Sequence, residues 1–315
     1  MALKQTIEVY ELLDRADASG DMVADLLRQR GLTDVSVRRV EGADNHTDFL
    51  KITIAGKGSG RTLGIVGRLG GVGARPKRIG LVSDADGAIA ALATALKLAD
   101  MHSAGDVLHG DVIITTHVCP SAPTIRHEPV ELMYSPVDVH ELISLEVDEA
   151  MQAIVSIDAT KANDIVNWKG LAITPTVKQG YVLRVSPGLA QLFTSVTGQH
   201  TRVVPITTQD ITPHGNGIYH INSMMQPSTR TRAPVVGLAT VAEAAVPGSA
   251  TGASHVIDLE MAVRYCVEVA KAFTGGSLEF YNASEWSRLV ELYGSLDHLQ
   301  QREHADKPPS TRVER

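Results

Sequence analysis

Cysteine is nearly absent from this chain. Its 315 residues hold two, Cys119 and Cys266, far apart in sequence. That excludes a disulfide framework and makes a reducing compartment, the cytoplasm, the expected location. No apolar run approaches the length of a membrane span. The N-terminal MALKQTIEVYELL reads as an amphipathic helix without the hydrophobic stretch of a signal peptide. Charge of one sign is not concentrated either: Lys and Arg are scattered, and the formal net charge is −7. Neither nucleic acid nor a membrane is therefore an expected partner, whereas a small molecule or short peptide is, with a homo-oligomer left open. Several enzyme signatures are missing as well. There is no P-loop, no G-x-S-x-G elbow and no H-E-x-x-H. The turn Gly67–Gly73, GRLGGVG, lacks the G-x-G-x-x-G spacing and runs into Pro76 rather than a helix. No internal repeat is visible.

What is present is an alternation of apolar strands and amphipathic helices. With 43% hydrophobic residues, the chain can bury a large core. Helical periodicity is expected over Gln5–Ala16, Gly20–Arg30, Ala85–Met101, Glu141–Ala150, Leu189–Gly198, Asp258–Phe273 and Ser284–Leu296. Strands are expected over Val35–Val40, Phe49–Ile54, Leu63–Val66, Ile79–Val82, Val112–Thr116 and Ala153–Ile157, and near Val182–Val185 and Arg202–Ile206. Gly56–Gly60 reads as a hairpin turn. The expected fold is α/β, a doubly wound, mostly parallel sheet with helices on both faces. One domain spans 1–299, followed by a charged, disordered tail at 300–315. In such a fold the ligand crevice lies at the carboxyl ends of the strands. Three irregular segments are placed to roof it: Cys119–Pro136, Ile211–Arg232 and Ala245–Ser254.

Gly64–Met101 is the most informative stretch, joining a strand, a glycine turn and a long helix opened by Asp84 and Asp86. Carboxylates there cap orphan N–H groups and complement the helix dipole, so a plain helix start competes with a catalytic reading. The segment Ser83-Asp84-Ala85-Asp86-Gly87-Ala88 resembles the helix start of the zinc-dependent exopeptidases, the co-catalytic aminopeptidases and their carboxypeptidase and deacetylase relatives. In that family an Asp before a small-residue helix bridges two metal ions, and Asp84 is the matching position. Further matches follow in chain order: the strand Val112–Thr116, the strand Ala153–Ile157 with Asp158 after it, and His255 ahead of a C-terminal helix. Thr116-His117-Val118-Cys119-Pro120 together with the acidic helix start is similar to a divergent bacterial family of about this length, with an incomplete metal site.

The resemblance implies a divalent metal, zinc or manganese, held by Asp84, Asp158 and His255; the chain's own residues add His117 as a further candidate ligand, His117 or Asp86 as candidate catalytic base, and Arg68 and His214 as candidate substrate-binding groups. No organic cofactor is expected. Two departures qualify this. Arg68-Leu69-Gly70 stands where the family carries His-x-Asp, and no carboxylate follows His117 before Glu128, where the family has paired glutamates.

Each candidate has a plain structural alternative. Asp158 either binds metal or caps the next turn. His117 is a ligand or a hydrogen-bonded strand-end residue. Cys119 is a thiolate or a packing residue, and His255 is a ligand or a helix neighbour. Arg68 either clamps a substrate carboxylate or forms an ion pair with Asp84. His214 and His220 belong to a loop without diagnostic metal spacing. Three functions follow: a metal-dependent hydrolase of an amide or peptide-like bond, a non-catalytic binder of a small anion or peptide, or an assembly subunit on a peptidase-like scaffold.

Overall fold

The computed structural model describes residues 1–42 and 45–300; most of the expected tail, from 301 on, lies outside the described residues. Helices α1 (Leu3–Asp14) and α2 (Gly20–Gln29) precede strands β1 (Val35–Glu41), β2 (His46–Ile54) and β3 (Leu63–Gly67). A one-turn 3-10 segment, Ser83–Ala85, leads into α3 (Asp86–Ser103), β4 (Val112–Val118), the short strands β5 (Thr124–Ile125) and β6 (Leu132–Met133), and α4 (Val139–Glu146). Next come β7 (Ala153–Thr160), β8 (Gly170–Ile173), β9 (Val177–Lys178), β10 (Tyr181–Val182), α5 (Pro187–Thr197), β11 (Val235–Val241), α6 (Val256–Thr274) and α7 (Ala283–Tyr293).

The main sheet runs β1-β2-β4-β3-β7-β11-β9-β10, with β8 also pairing with β11. Its centre, β4-β3-β7-β11, is parallel, and the flanking pairs are antiparallel. The parallel strands are apolar on both sides because both faces are covered. Alternation sorts their side chains. Leu63, Ile65, Ile114, Val155, Ile157 and Leu238 pack with α1, α3, α5 and α6 in one large core, while Val66, Ile113, Ile154 and Ala239 pack into a second cluster on the opposite face. Alanines at 88, 90, 91, 93, 95 and 99 make α3 thin enough to be buried almost all round, between the sheet and α1 and α6.

Several expectations need correction. Ile79–Val82 is not a strand: Ile79 is 90% exposed, and Val82 makes a single bridge to Thr251. Gly80, at φ 96°, turns the chain before a ladder forms. Gly56–Gly60 closes no hairpin, because β4 lies between β2 and β3. Near 182–185 only Tyr181–Val182 pairs, and over 202–206 only Val203 makes a bridge, to Ile173. The fully buried β11 was not anticipated, although VVGLATV is an apolar, β-branched run of the same kind as its neighbours. Gln300, expected to begin the tail, is anchored by its side-chain amide to the carbonyls of Ser228 and Thr231.

Candidate functional site

The functional side chains are set at the carboxyl ends of the parallel strands. Arg68 follows β3 directly, and its N–H continues the ladder to the Ile157 carbonyl at 2.9 Å. By alternation along their strands, Arg68, His117 and Asp158 share the sheet face opposite α3. Gly70 lies on the His117 ring: a Cβ there would sit 2.5 Å from His117 Cδ2, so only glycine admits the turn at this approach. The Cys119 N–H then closes the turn on the Gly70 carbonyl at 2.8 Å.

Arg68 does not pair with Asp84. Its Nη1 donates to Oε2 of Glu146, whose other oxygen lies 3.1 Å from His117 Nδ1. Both members of the ion pair are buried, with side chains 6% and 1% exposed. Glu146 is the residue that sequence reasoning missed. Its signal was present: it falls three and four positions after Ile143 and Leu142, on the apolar stripe of α4, where an unpaired Glu would be too costly to bury. The Thr115 hydroxyl donates to the Glu146 carbonyl at 2.7 Å and fastens this helix end to β4.

Asp86 and Asp84, two positions apart, have opposite surroundings. Asp86 is saturated: Lys161 Nζ (2.7 Å), the Thr240 hydroxyl (2.9 Å) and the Ser254 hydroxyl all donate to it. Asp84 receives no hydrogen bond on its carboxylate among the described residues. The Gly248 backbone lies against it, at a distance where an added Cβ would stand 2.4 Å from Oδ2. Desolvation first, and then the negative charge of Asp158, push the Asp84 carboxyl up to about 7. Asp158 is buried, accepting from the Ser223 hydroxyl at 2.5 Å and the Ala159 N–H at 2.7 Å. Burial raises its pKa, while Ser223 and the charge of Arg68 oppose the rise.

His214 stacks near His220, ring centroids 4.3 Å apart. Burial, then the charges of His220, Arg68 and His140, lower its pKa to about 4. His255 is exposed at the N-cap position of α6 and makes no cap bond. Cys119 is buried, and its thiol is pushed upward by desolvation, which is the character of a packing residue.

All three irregular segments contribute to this edge. The loop after β4 brings Glu131 to Lys77, Arg78 and Ser249. The second segment brings Ser223 and the histidines. The third ties its Gly248 and Ala250 carbonyls to the N–H groups of Asp84 and Ser83. Open recesses lie at the other edge instead, one of about 810 Å³ lined by Met151, Ala233 and Arg232 ahead of β7 and β11.

The expected metal set does not assemble. Among the described residues no group of three or more His, Cys, Asp or Glu converges in a way that would hold an ion. Lys161 occupies Asp86, Arg68 occupies Glu146, and His255 is exposed, so the donor chemistry of a two-metal centre does not fit.

A bottromycin maturation enzyme, BotP, aligns with a TM-score of 0.54 and 15% identity over 88% of this chain and 70% of its own. The same enzyme in complex with Mn gives 0.52 and 12% over 86% and 71%. A tomato leucine aminopeptidase mutant gives 0.50 and 11% over 84% and 61%. At these identities the likeness is one of fold, an α/β fold of the zinc-exopeptidase kind. A search of curated proteins finds no match. The family model described as a protein of unknown function, DUF1177, matches residues 38–303, and the chain belongs to that family.

Proposed function

We propose that the chain is a hydrolase of an amide or peptide-like bond in a small substrate, with Asp84 and Asp158 as its acid–base pair. The observation that carries this is Asp84, a carboxyl that receives no hydrogen bond among the described residues and is raised to about 7 by desolvation and then by the charge of a second carboxylate, Asp158, at the carboxyl ends of the parallel strands. Two titratable groups whose surroundings separate their protonation states divide naturally into acid and base. Asp158, with two donors on its oxygens, is the group better able to carry the negative charge. In this role it takes a proton from water as the water oxygen attacks the carbonyl carbon. Asp84, in its protonated form, first donates a hydrogen bond to the carbonyl oxygen. It then supplies the proton to the leaving nitrogen as the C–N bond breaks, and the proton on Asp158 restores the pair. The fold-level likeness to a leucine aminopeptidase supports the reaction class. The manganese seen with BotP is not carried over, because among the described residues no donor set here fits an ion.

A screen of N-acyl amino acids and dipeptides tests the reading. Turnover should survive chelation with EDTA and fall by roughly 10²–10⁴ in both Asp84→Asn and Asp158→Asn. Activity that appears only on adding manganese or zinc would overturn the metal-free assignment. A second reading, binding without turnover, is favoured by the internal neutralisation of Arg68 and Asp86; saturable binding with no hydrolysis in the parent would select it.

A further inference from the structure

The guanidinium of Arg68 is used on one side only. Nη1 meets Glu146, while Nε is buried with no hydrogen-bond partner among the described residues. A buried N–H of a charged group left unpaired is costly, and such vacancies are retained where a ligand fills them. The Nε–Nη2 edge of a guanidinium presents two parallel donors that match a planar carboxylate. The loop that carries His214 holds two further unmatched groups: among the described residues His220 Nε2 and Gln226 Oε1 are buried without partners, and the His220 ring packs against that of His214, which feels the Arg68 charge. Backbone and side-chain bonds fix the histidine loop. Asp210 accepts from the N–H groups of Ile221 (3.0 Å) and Asn222 (2.8 Å), and the Gln226 amide reaches the Asp210 carbonyl at 3.2 Å.

We propose that the Nε edge of Arg68, flanked by His214 and His220, binds a carboxylate of the substrate. The inference rests on reading the crevice as the substrate site, and it names the substrate class as amides bearing a free carboxylate. Charge selects among oxyanions. Arg68 is already matched by Glu146, and Asp158 adds a further negative charge; these carboxylates oppose any added anion, and a dianion about twice as strongly as a singly charged carboxylate. The singly charged carboxylate is therefore favoured over phosphate.

The test is calorimetric titration of the full chain with N-acetylglycine and N-acetylleucine, their methyl esters and inorganic phosphate. The acids should bind, and the esters and phosphate should bind at least tenfold more weakly. Because removing Arg68 alone leaves Glu146 unpaired, the variant is the double substitution Arg68→Gln with Glu146→Gln, in which both side chains keep a hydrogen-bonding partner. It should remain folded by circular dichroism and lose roughly tenfold or more in affinity for the acids. In the parent, the His214 ring resonances should shift on saturation with acid and not with ester, a readout that needs no variant. Equal binding of acid and ester, tighter binding of phosphate, no binding of either acid, or unchanged affinity in a folded double variant would each overturn the assignment. Binding without turnover would leave it standing and count against the hydrolase alone.

Discussion

The two faces of the central sheet are built on different physics. On one, α1, α3, α5 and α6 cover the strands with a continuous apolar core in which Ile89, Leu92 and Leu96 are fully buried. On the other, at the carboxyl ends, the short α4 and the irregular segment before β11 contribute an ion pair, the Ser223 hydrogen bond to Asp158 and two histidines. The first face is held by burial of apolar surface, which is insensitive to pH. The second gains little net energy from its charges and depends on each keeping its partner. That contrast separates the scaffold from the site, and it predicts that substitutions on the two faces will differ in kind.

The sharpest break should come from Glu146→Ala, which leaves Arg68 charged and unpaired among buried groups. A loss of about 3–5 kcal/mol in urea unfolding is expected. Glu146→Gln, which keeps a neutral acceptor for Arg68, should restore much of it. On the helical face, Leu92→Ala should lower stability by about 2–5 kcal/mol, by the same amount at pH 5 and pH 8, because only contacts and a cavity are involved. A pH-dependent loss there would blur the contrast.

Gly248→Ala joins the two arguments. Its methyl group would meet the Asp84 carboxylate at 2.4 Å, so a destabilisation of about 1–3 kcal/mol should come with reduced hydrolysis. Activity at the parent level would show that Asp84 can move without consequence.

The smallest effect is a slope. His214 has a folded-state pKa of about 4, below its ordinary 6.5, so the unfolded chain binds the extra proton between those values. Its contribution to stability is present above 6.5 and is lost as pH falls through that window. Thermal melts of His214→Gln should show a shallower decline between pH 6.5 and 4 than the parent; an unchanged slope would mean that the histidine titrates normally.

Legibility from sequence followed the same division. Periodicity reads the helical face well: α3, α6 and the strands at 63, 112 and 153 were expected within a few residues, because apolar runs and alanine-rich helices report burial directly. The crevice was read by position, since Arg68, His117 and Asp158 stand at strand ends, but their partners were not. Arg68 and Glu146 are 78 positions apart, and Asp86 and Ser254 are 168 apart. No local pattern encodes such pairings. The short strand at 181 and the bridge at Val203 were over-read because extended chain and paired strand share one composition.

The central claim is that desolvation, and then the negative charge of Asp158, raise the Asp84 carboxyl to about 7, whereas Asp86, two residues on, is paired with Lys161. Carbon-13 NMR titration of the aspartate carboxyls, with Asp84 assigned by its loss in Asp84→Asn, tests this directly. The account predicts a midpoint near 7 that falls when Asp158 is replaced by Asn, and a parent whose stability declines as pH rises from about 4 to 7, the sign expected when the folded state holds the extra proton. A midpoint near the ordinary aspartate value of about 3.9, unmoved by Asp158→Asn, would contradict it.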